Sequence, residues 1–228
     1  MGSNMFPAAI IFDMDGVITD SEPLQMEAER LVCDKFDISV PLEEWKNFKG
    51  KTNRDIFSYI LKKYSEKPLS VQQLIDEKRK KYIEISTKKL TLVDGFLVFI
   101  EKIRKTVPLI ALTTSSSAIV QKFVFDKYNL HKYFDVITTG DEVKNGKPHP
   151  EPYLLTVNKL GVRPQDVVVI EDSDNGVISA KASGCVVVAI TTSFPRKVLA
   201  SKGADHVVDS FGEITVLMEN KILKREKV

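Results

Sequence analysis

The sequence predicts an α/β protein, a doubly wound parallel sheet with an all-helical segment inserted after its first strand. Three observations predict this fold class. Short apolar runs recur along the 228 residues, stretches with helical spacing lie between them, and residues 22–90 contain helical patterns without a convincing strand. Strands that alternate with helices are typical of a doubly wound sheet.

Six short apolar runs are the predicted strands. Several of them are apolar at both alternating positions, which is typical of strands buried on both faces of a parallel sheet. The runs are residues 8–12, 109–114, 135–138, 166–171, 185–190 and 206–208.

Four stretches between these runs have helical spacing, and some of their ends carry helix signals. The stretch 118–128 follows a serine run that can cap a helix, and the stretch 150–161 has proline early and glycine at its end. The four predicted helices are residues 96–105, 118–128, 150–161 and 174–184.

Residues 22–90 interrupt the alternation of strands and helices. Three helical patterns fill this segment: residues 22–36, 52–64 and 70–90. We therefore predict two domains. Residues 1–21 and 91–228 form the α/β core, and residues 22–90 form an inserted helical domain.

The overall composition is that of an ordinary soluble globular protein. The formal net charge of +2 shows no bias toward nucleic acid, and no apolar stretch approaches the roughly 18 residues that span a membrane. The two cysteines, Cys33 and Cys185, have no CxxC spacing, which favours a reducing compartment. We therefore expect a cytoplasmic monomer that binds neither nucleic acid nor membranes.

Two carboxylates, Asp13 and Asp15, follow the first predicted strand, and Gly16 allows a sharp turn after them. Ligands of open α/β sheets bind outside the carboxyl ends of the strands, where these side chains would lie. Adjacent carboxylates repel unless a cation or a shared proton relieves them, and Mg²⁺ prefers oxygen ligands. The pair therefore indicates a metal site, although a capping pair at a turn is an equal alternative.

Other predicted strands end in complementary groups. The run 166–171 ends at Glu171 and is followed by Asp172, residues 113–117 are all hydroxyl residues, and Lys147 lies in a proline-rich loop. Taken singly, the hydroxyls could be helix caps and the lysine a solvated charge. Together, acids, hydroxyls and a cation at one edge of a sheet match a metal-assisted phosphoryl-transfer site.

Four motifs, "DMDG", "TTSS", "GKPHP" and "EDSDNG", occur in this order along the chain. In type and order they resemble those of the haloacid dehalogenase superfamily, in the branch of β-phosphoglucomutase and small sugar-phosphate phosphatases. The resemblance covers essentially the whole chain. It implies a Rossmann-like core and makes the inserted helices a cap domain, because that branch carries its cap between the first and second motifs.

The resemblance also implies roles for individual residues. Asp13 would be the nucleophile that accepts the phosphoryl group, and Asp15 the general acid and base. Thr114, Ser115 and Lys147 would bind the transferring phosphoryl group.

A Mg²⁺ cofactor is implied by the same resemblance. Its ligands would be Asp13, the backbone carbonyl of Asp15, Asp172 and Glu171. Glu171 could instead contact the ligands without binding the metal itself, as the first acid of this pair does in some relatives.

The predicted cap departs from the mutase pattern at two positions. Gln25 stands where the mutase has a histidine beside its acid and base. In "KGKTNR", Gly50 and Thr52 match the mutase segment that clamps a second phosphate, but Asn53 replaces its arginine and Arg54 follows one residue later. Gly50 and Arg54 are therefore candidate substrate-binding residues, with an exposed helix arginine as the alternative for Arg54.

These departures favour a Mg²⁺-dependent phosphatase that hydrolyses a small phosphorylated metabolite, such as a sugar phosphate, through an aspartyl phosphate. The first alternative is β-phosphoglucomutase itself. The second is a non-enzymatic receiver module that accepts a phosphoryl group. A receiver is usually about half this length and lacks a cap, so we consider it the weakest of the three.

Overall fold

A computed structural model describes residues 7–48 and 51–220 of the chain. The strands are β1 (Ala9–Phe12), β2 (Leu109–Thr113), β3 (Val136–Thr138), β4 (Val167–Glu171), β5 (Val186–Ile190) and β6 (His206–Val208). The α-helices are α1 (Glu22–Lys35), α2 (Asn53–Tyr64), α3 (Val71–Lys89), α4 (Phe96–Ile103), α5 (Ala118–Tyr128), α6 (Glu151–Leu160), α7 (Asp174–Ala182), α8 (Arg196–Ser201) and α9 (Phe211–Glu219). Short 3-10 helices span Leu42–Asn47, His131–Tyr133, Gly140–Glu142 and Pro164–Asp166.

The described strands form one parallel sheet in the order β3-β2-β1-β4-β5-β6. β1 lies at its centre, where Ile10 is aligned with Ile110 of β2 on one side and Val168 of β4 on the other. The predicted strands all occur, and the prediction of a doubly wound α/β fold is confirmed. The order places the end of β1 between the ends of β2 and β4, which is where such sheets bind ligands.

Residues of β1 alternate between two apolar layers because successive strand side chains point to opposite faces. Ile11 packs in a cluster with Tyr153 of α6 and Val177 of α7. Phe12 meets Phe96 and Phe99 of α4, with ring centroids 5.8 and 6.1 Å apart. Helices therefore cover both faces, which explains why every residue of β1 is buried.

Helix boundaries follow the signals in the sequence to within two residues. α6 has proline in its first turn and ends at Gly161, whose φ of +67° suits glycine. α7 follows Ser173, whose hydroxyl accepts a hydrogen bond from the Gly176 N–H at 3.1 Å. Helices α8 and α9 were not predicted, because α8 spans only six residues and α9 nine, too few for a clear helical period.

The chain divides into two compact units, one of residues 21–48 and 51–90 and one of residues 7–20 and 91–220. We call them the helical unit and the sheet unit. The helical unit has its own apolar cluster, in which Trp45 packs edge-on against Phe48 with ring centroids 5.5 Å apart. None of the helices in the described parts of the chain could span a lipid bilayer.

Candidate active site

Side chains from three neighbouring strands meet at the carboxyl edge of the sheet. Asp13 follows β1, Thr114 follows β2, and Glu171 ends β4 with Asp172 immediately after it. Because β1 lies between β2 and β4, these residues share one end of the central strands. Asp13, Glu171 and Asp172 offer carboxylate oxygens that all lie within 4.8 Å of one another, and all three residues are buried.

Lys147 reaches into this carboxylate cluster from the loop before α6. Its Nζ lies 2.6 Å from Asp13 Oδ1 and 2.6 Å from Glu171 Oε1, and the Lys147 side chain is 7% exposed. A third donated bond goes to the carbonyl oxygen of Thr113 at 3.4 Å. The ammonium therefore compensates two of the three buried carboxylates.

Burial and charge act in opposite directions on these groups. Burial raises the pKa of Asp13, against the pull of Lys147. Burial also opposes ionisation of Glu171, but the Lys147 ammonium and its hydrogen bond hold the pKa of Glu171 below its ordinary value. Burial alone would lower the pKa of Lys147, and the two carboxylates instead raise it, so the lysine remains an ammonium.

Asp172 is compensated less than Asp13 and Glu171. Burial, and then the charges of Glu171 and Asp13, raise the pKa of Asp172 well above its ordinary value. A hydrogen bond from Ser193 and the more distant charge of Lys147 work against this rise, but among the described residues Asp172 forms no direct ion pair. Gly16 has a φ of +77°, and a Cβ there would lie 1.8 Å from Asp172 Oδ2. Glycine is therefore required beside this carboxylate.

The donors of the cluster suit a hard divalent cation. The available groups are carboxylate oxygens, which Mg²⁺ prefers, and crowded buried carboxylates are relieved by a cation. Asp13 and Asp172 therefore fit a metal site at this edge.

Glu171 is already surrounded by donors. Oε1 accepts from Lys147 at 2.6 Å and from the Tyr153 hydroxyl at 2.7 Å. Oε2 accepts from the N–H groups of Asp172 at 2.9 Å and Ser173 at 3.1 Å, and from the Ser173 hydroxyl at 3.0 Å. A carboxylate has about four lone-pair sites, and these five donors from the described residues leave none of them open. In this arrangement Glu171 anchors Lys147 and the turn into α7, and its role as a metal ligand stays a prediction.

Hydrogen bonds join Asp15 to the hydroxyl residues after β2. The Ser116 hydroxyl donates to Asp15 Oδ2 at 2.8 Å, and the Ser116 N–H donates to the buried Thr114 hydroxyl at 3.0 Å. Ser115 is exposed. The structure thus joins Ser116 to Asp15, whereas the sequence analysis assigned roles to Thr114 and Ser115, because a motif does not show which hydroxyl of a loop faces inward.

The two candidate residues of the predicted cap are Arg54 and Gly50. Arg54 is exposed on α2 of the helical unit, and Gly50 lies outside the described residues. The structure instead shows a buried group that the sequence analysis missed, Lys78 of α3. The Lys78 ammonium donates to Gln25 Oε1 and, at 3.0 Å, to Asn53 Oδ1.

Glu29 of α1 completes this polar cluster of the helical unit. Its Oε1 lies 3.8 Å from Lys78 Nζ, and its side chain is 9% exposed. Burial raises the pKa of Glu29 to about 7, opposed by Lys78 and reinforced by Glu22. Gln25 and Asn53, which differ from the mutase pattern, thus contact one and the same lysine.

The fold and the site together are those of an enzyme with a parallel α/β core and a centre of buried carboxylates and a lysine. A family model of haloacid dehalogenase-like hydrolases matches residues 10–190, and the chain belongs to this family. The predicted resemblance to the haloacid dehalogenase superfamily is confirmed, and so is the prediction of an enzyme of the haloacid dehalogenase type.

Individual relatives are similar over most of their length. The phosphorylated carbohydrates phosphatase of Thermotoga maritima is 35% identical over 178 residues, which cover 77% of this chain and 81% of the relative. The solved structure of HAD hydrolase, family IA, variant 3 from Entamoeba histolytica has a TM-score of 0.84 at 26% identity and covers 94% of this chain and 98% of its own. A β-phosphoglucomutase structure from Clostridium difficile has a TM-score of 0.77 at 25% identity and covers 96% of this chain and 100% of its own.

Proposed function

We propose that the protein is a Mg²⁺-dependent phosphatase that hydrolyses a small phosphorylated carbohydrate through an aspartyl-phosphate intermediate. One observation carries the proposal: the Asp13 carboxylate, 2.6 Å from the Lys147 ammonium, lies in a buried cluster with Asp172. A nucleophile, a fixed cation and a second acid within reach are the parts that phosphoryl transfer needs. The phosphatase of Thermotoga maritima that acts on phosphorylated carbohydrates supports the substrate class.

In the first half-reaction one Asp13 oxygen attacks the phosphorus, and the bond from phosphorus to the ester oxygen of the sugar breaks. Asp15 gives its proton to that oxygen, so the sugar leaves as a neutral alcohol. In the second half-reaction Asp15 takes a proton from water, whose oxygen attacks the phosphorus. The bond to Asp13 then breaks, inorganic phosphate leaves, and both side chains return to their starting states.

Lys147 and the residues after β2 would hold the phosphoryl group. The Lys147 ammonium offers a positive charge beside the nucleophile, and Thr114 and the backbone at Ser115 offer donors. Asp13, Asp172 and the Asp15 carbonyl would hold Mg²⁺, which neutralises charge on the phosphoryl oxygens when bound. The Ser116 hydroxyl, 2.8 Å from Asp15 Oδ2, would orient the acid and base.

A mutase is the second candidate, because the β-phosphoglucomutase of Clostridium difficile shares the fold over the whole of its own chain. A mutase returns the phosphoryl group to another hydroxyl instead of water. We would incubate the protein with β-glucose 1-phosphate and a trace of the glucose bisphosphate. Glucose 6-phosphate without free phosphate would favour the mutase, and free phosphate favours the phosphatase.

The test of the nucleophile is Asp13→Asn, assayed for phosphate release from a panel of phosphorylated sugars with Mg²⁺. An amide is a poor nucleophile, so we expect kcat to fall by about four orders of magnitude or more. The control is Asp20→Asn, since Asp20 is exposed and lies in the same segment between β1 and α1 as Asp13. We expect this variant to keep native turnover, and undiminished hydrolysis by Asp13→Asn would refute the nucleophile assignment.

A further inference from the structure

We propose that Tyr153 is a positioning residue that fixes the Lys147 ammonium beside Asp13. The inference rests on the proposed function for its catalytic consequence. Tyr153 lies on α6 and is fully buried. No motif marks it, because a tyrosine in an amphipathic helix usually belongs to the apolar core.

Two parts of the tyrosine act on the same pair of charges. Its hydroxyl donates to Glu171 Oε1 at 2.7 Å, the oxygen that also accepts from Lys147. Its ring lies beneath the ammonium, with Lys147 Nζ 5.0 Å from the ring centroid. A hydrogen bond to a carboxylate and a cation over a ring face are both stabilising, and more so where water is excluded.

The helix that carries Tyr153 is itself tied to the sheet. The Thr156 and Thr113 hydroxyls lie 2.6 Å apart, which joins the second turn of α6 to the end of β2. The Ser179 hydroxyl of α7 donates to the His149 carbonyl at 2.6 Å, just before α6 begins. The tyrosine is therefore attached to rigid elements, as a residue that positions another group must be.

The consequence for Lys147 follows from the shared acceptor. Without the Tyr153 hydroxyl, Lys147 would be the remaining donor on Glu171 Oε1, since the other donors of Glu171 bind Oε2. The ammonium is then drawn toward Glu171 and away from Asp13. Since Lys147 lies beside the nucleophile, this shift affects the rate of phosphoryl transfer more than the binding of the sugar.

The sheet unit offers a matched control in Tyr133. Its hydroxyl donates to Glu101 Oε1 at 3.1 Å, and Lys132 Nζ lies 4.9 Å from the centroid of its ring. Tyr133 is 9% exposed, so it is nearly as buried as Tyr153. Tyr133 thus has the same two kinds of partner as Tyr153, a glutamate and a lysine, but it has no part in the proposed reaction.

The first experiment compares Tyr153→Phe with Tyr133→Phe in kcat, KM and melting temperature, and in inhibition by inorganic phosphate. Both variants lose a hydrogen bond to a carboxylate, but only Tyr153 lies at the candidate active site. For Tyr153→Phe we expect kcat to fall about tenfold, KM to stay within about twofold, and inhibition by phosphate to weaken. For Tyr133→Phe we expect native kinetics, and equal kcat values for the two variants would overturn the proposal.

A second measurement needs no turnover and no variant of Tyr153. In native protein labelled with ¹³C-lysine, the ε-methylene signal of Lys147 is identified by its loss in Lys147→Arg. The ring current of Tyr153 should shift the ¹H resonance of this methylene upfield. A signal at the position of an exposed lysine would overturn the proposal. If the native protein hydrolyses no phosphomonoester, the proposed function fails, and this measurement still decides where Lys147 lies.

Discussion

Lys147 of the sheet unit and Lys78 of the helical unit are equally buried, with side chains 7% exposed in both, yet different partners hold them. Lys147 lies 2.6 Å from two carboxylates, those of Asp13 and Glu171. Lys78 is bound by two amide oxygens, and its carboxylate neighbour, Glu29, is 3.8 Å away.

The difference lies in the balance of charge. With Asp172 included, the cluster around Lys147 has two more negative charges than positive ones when its three carboxylates are ionised. The pair of Lys78 and Glu29, by contrast, is neutral when Glu29 is ionised. Uncompensated buried charge is costly and is found where a protein binds ions or does chemistry. The excess of negative charge around Lys147 therefore supports the proposal that the chemistry takes place in the sheet unit.

The largest effect in this comparison should follow removal of Lys147. Lys147→Met removes the cation beside the nucleophile, so we expect kcat to fall by about a hundredfold to a thousandfold. The same change leaves Asp13 and Glu171 buried without a cation, and we expect the free energy of unfolding to drop by about 4 kcal/mol. Phosphate release and denaturant unfolding, followed by circular dichroism, measure the two effects.

The control for this prediction is Lys159→Met. Lys159 also lies in the sheet unit and bonds Glu142 at 2.6 Å, but its side chain is 31% exposed. Lys159 also donates to the Ile137 carbonyl and the Thr138 hydroxyl, each at 3.2 Å. A partly exposed ion pair and two long hydrogen bonds contribute little, so stability should fall by about 1 kcal/mol. If Lys147→Met and Lys159→Met reduced kcat equally, Lys147 would have no special place in the reaction.

A smaller effect on stability should follow removal of Lys78. Lys78→Met removes the donor that the Gln25 and Asn53 oxygens share, and we expect the helical unit to lose about 3 kcal/mol. Trp45 is the single tryptophan of the sequence and lies in the apolar cluster of this unit, so its fluorescence reports unfolding there.

Lys80→Met is the control for Lys78, because Lys80 lies on the same helix with a side chain that is 73% exposed. Its fluorescence transition should match that of the native protein. If the fluorescence transition of Lys78→Met also matched that of the native protein, the buried ammonium would contribute nothing to the stability of the helical unit.

The site residues that were predicted are placed by strand ends, whereas those that were missed are placed by the packing of helices. Asp13, Glu171 and Asp172 were predicted to meet because the end of a parallel strand fixes where the next side chains lie. Lys147 was predicted from its motif. The contact between Lys147 and Asp13 depends on how α6 packs on the sheet, which no local pattern states.

Tyr153 and Lys78 were missed for the same physical reason. Each depends on the face of a helix that becomes buried, and the helical period does not distinguish a core tyrosine from one that bonds a carboxylate. Lys78 also lies in the charged run 76–81, where its neighbours pair at the surface. The long lysine stem allows one member of such a run to turn inward.

The smallest effect concerns the pH dependence of the helical unit. Burial raises the pKa of Glu29 from its ordinary value of 4.5 to about 7, while Lys78 opposes and Glu22 adds to this rise. Between these two values the folded protein binds more protons than the unfolded chain. The free energy of unfolding of the helical unit should therefore fall as the pH rises from about 5 to about 8, by about 2 kcal/mol.

Glu29→Gln isolates this effect, because glutamine resembles the protonated acid and does not titrate. The variant should match the native protein at pH 5 and exceed it in stability at pH 8, as measured by unfolding followed at Trp45. Glu27→Gln is the control, since Glu27 lies on the same helix with a carboxylate that is 38% exposed and bonded to Lys89. If Glu29→Gln kept the native decline with pH, another group would be responsible, and the Lys78 cluster would carry no buried titrating acid.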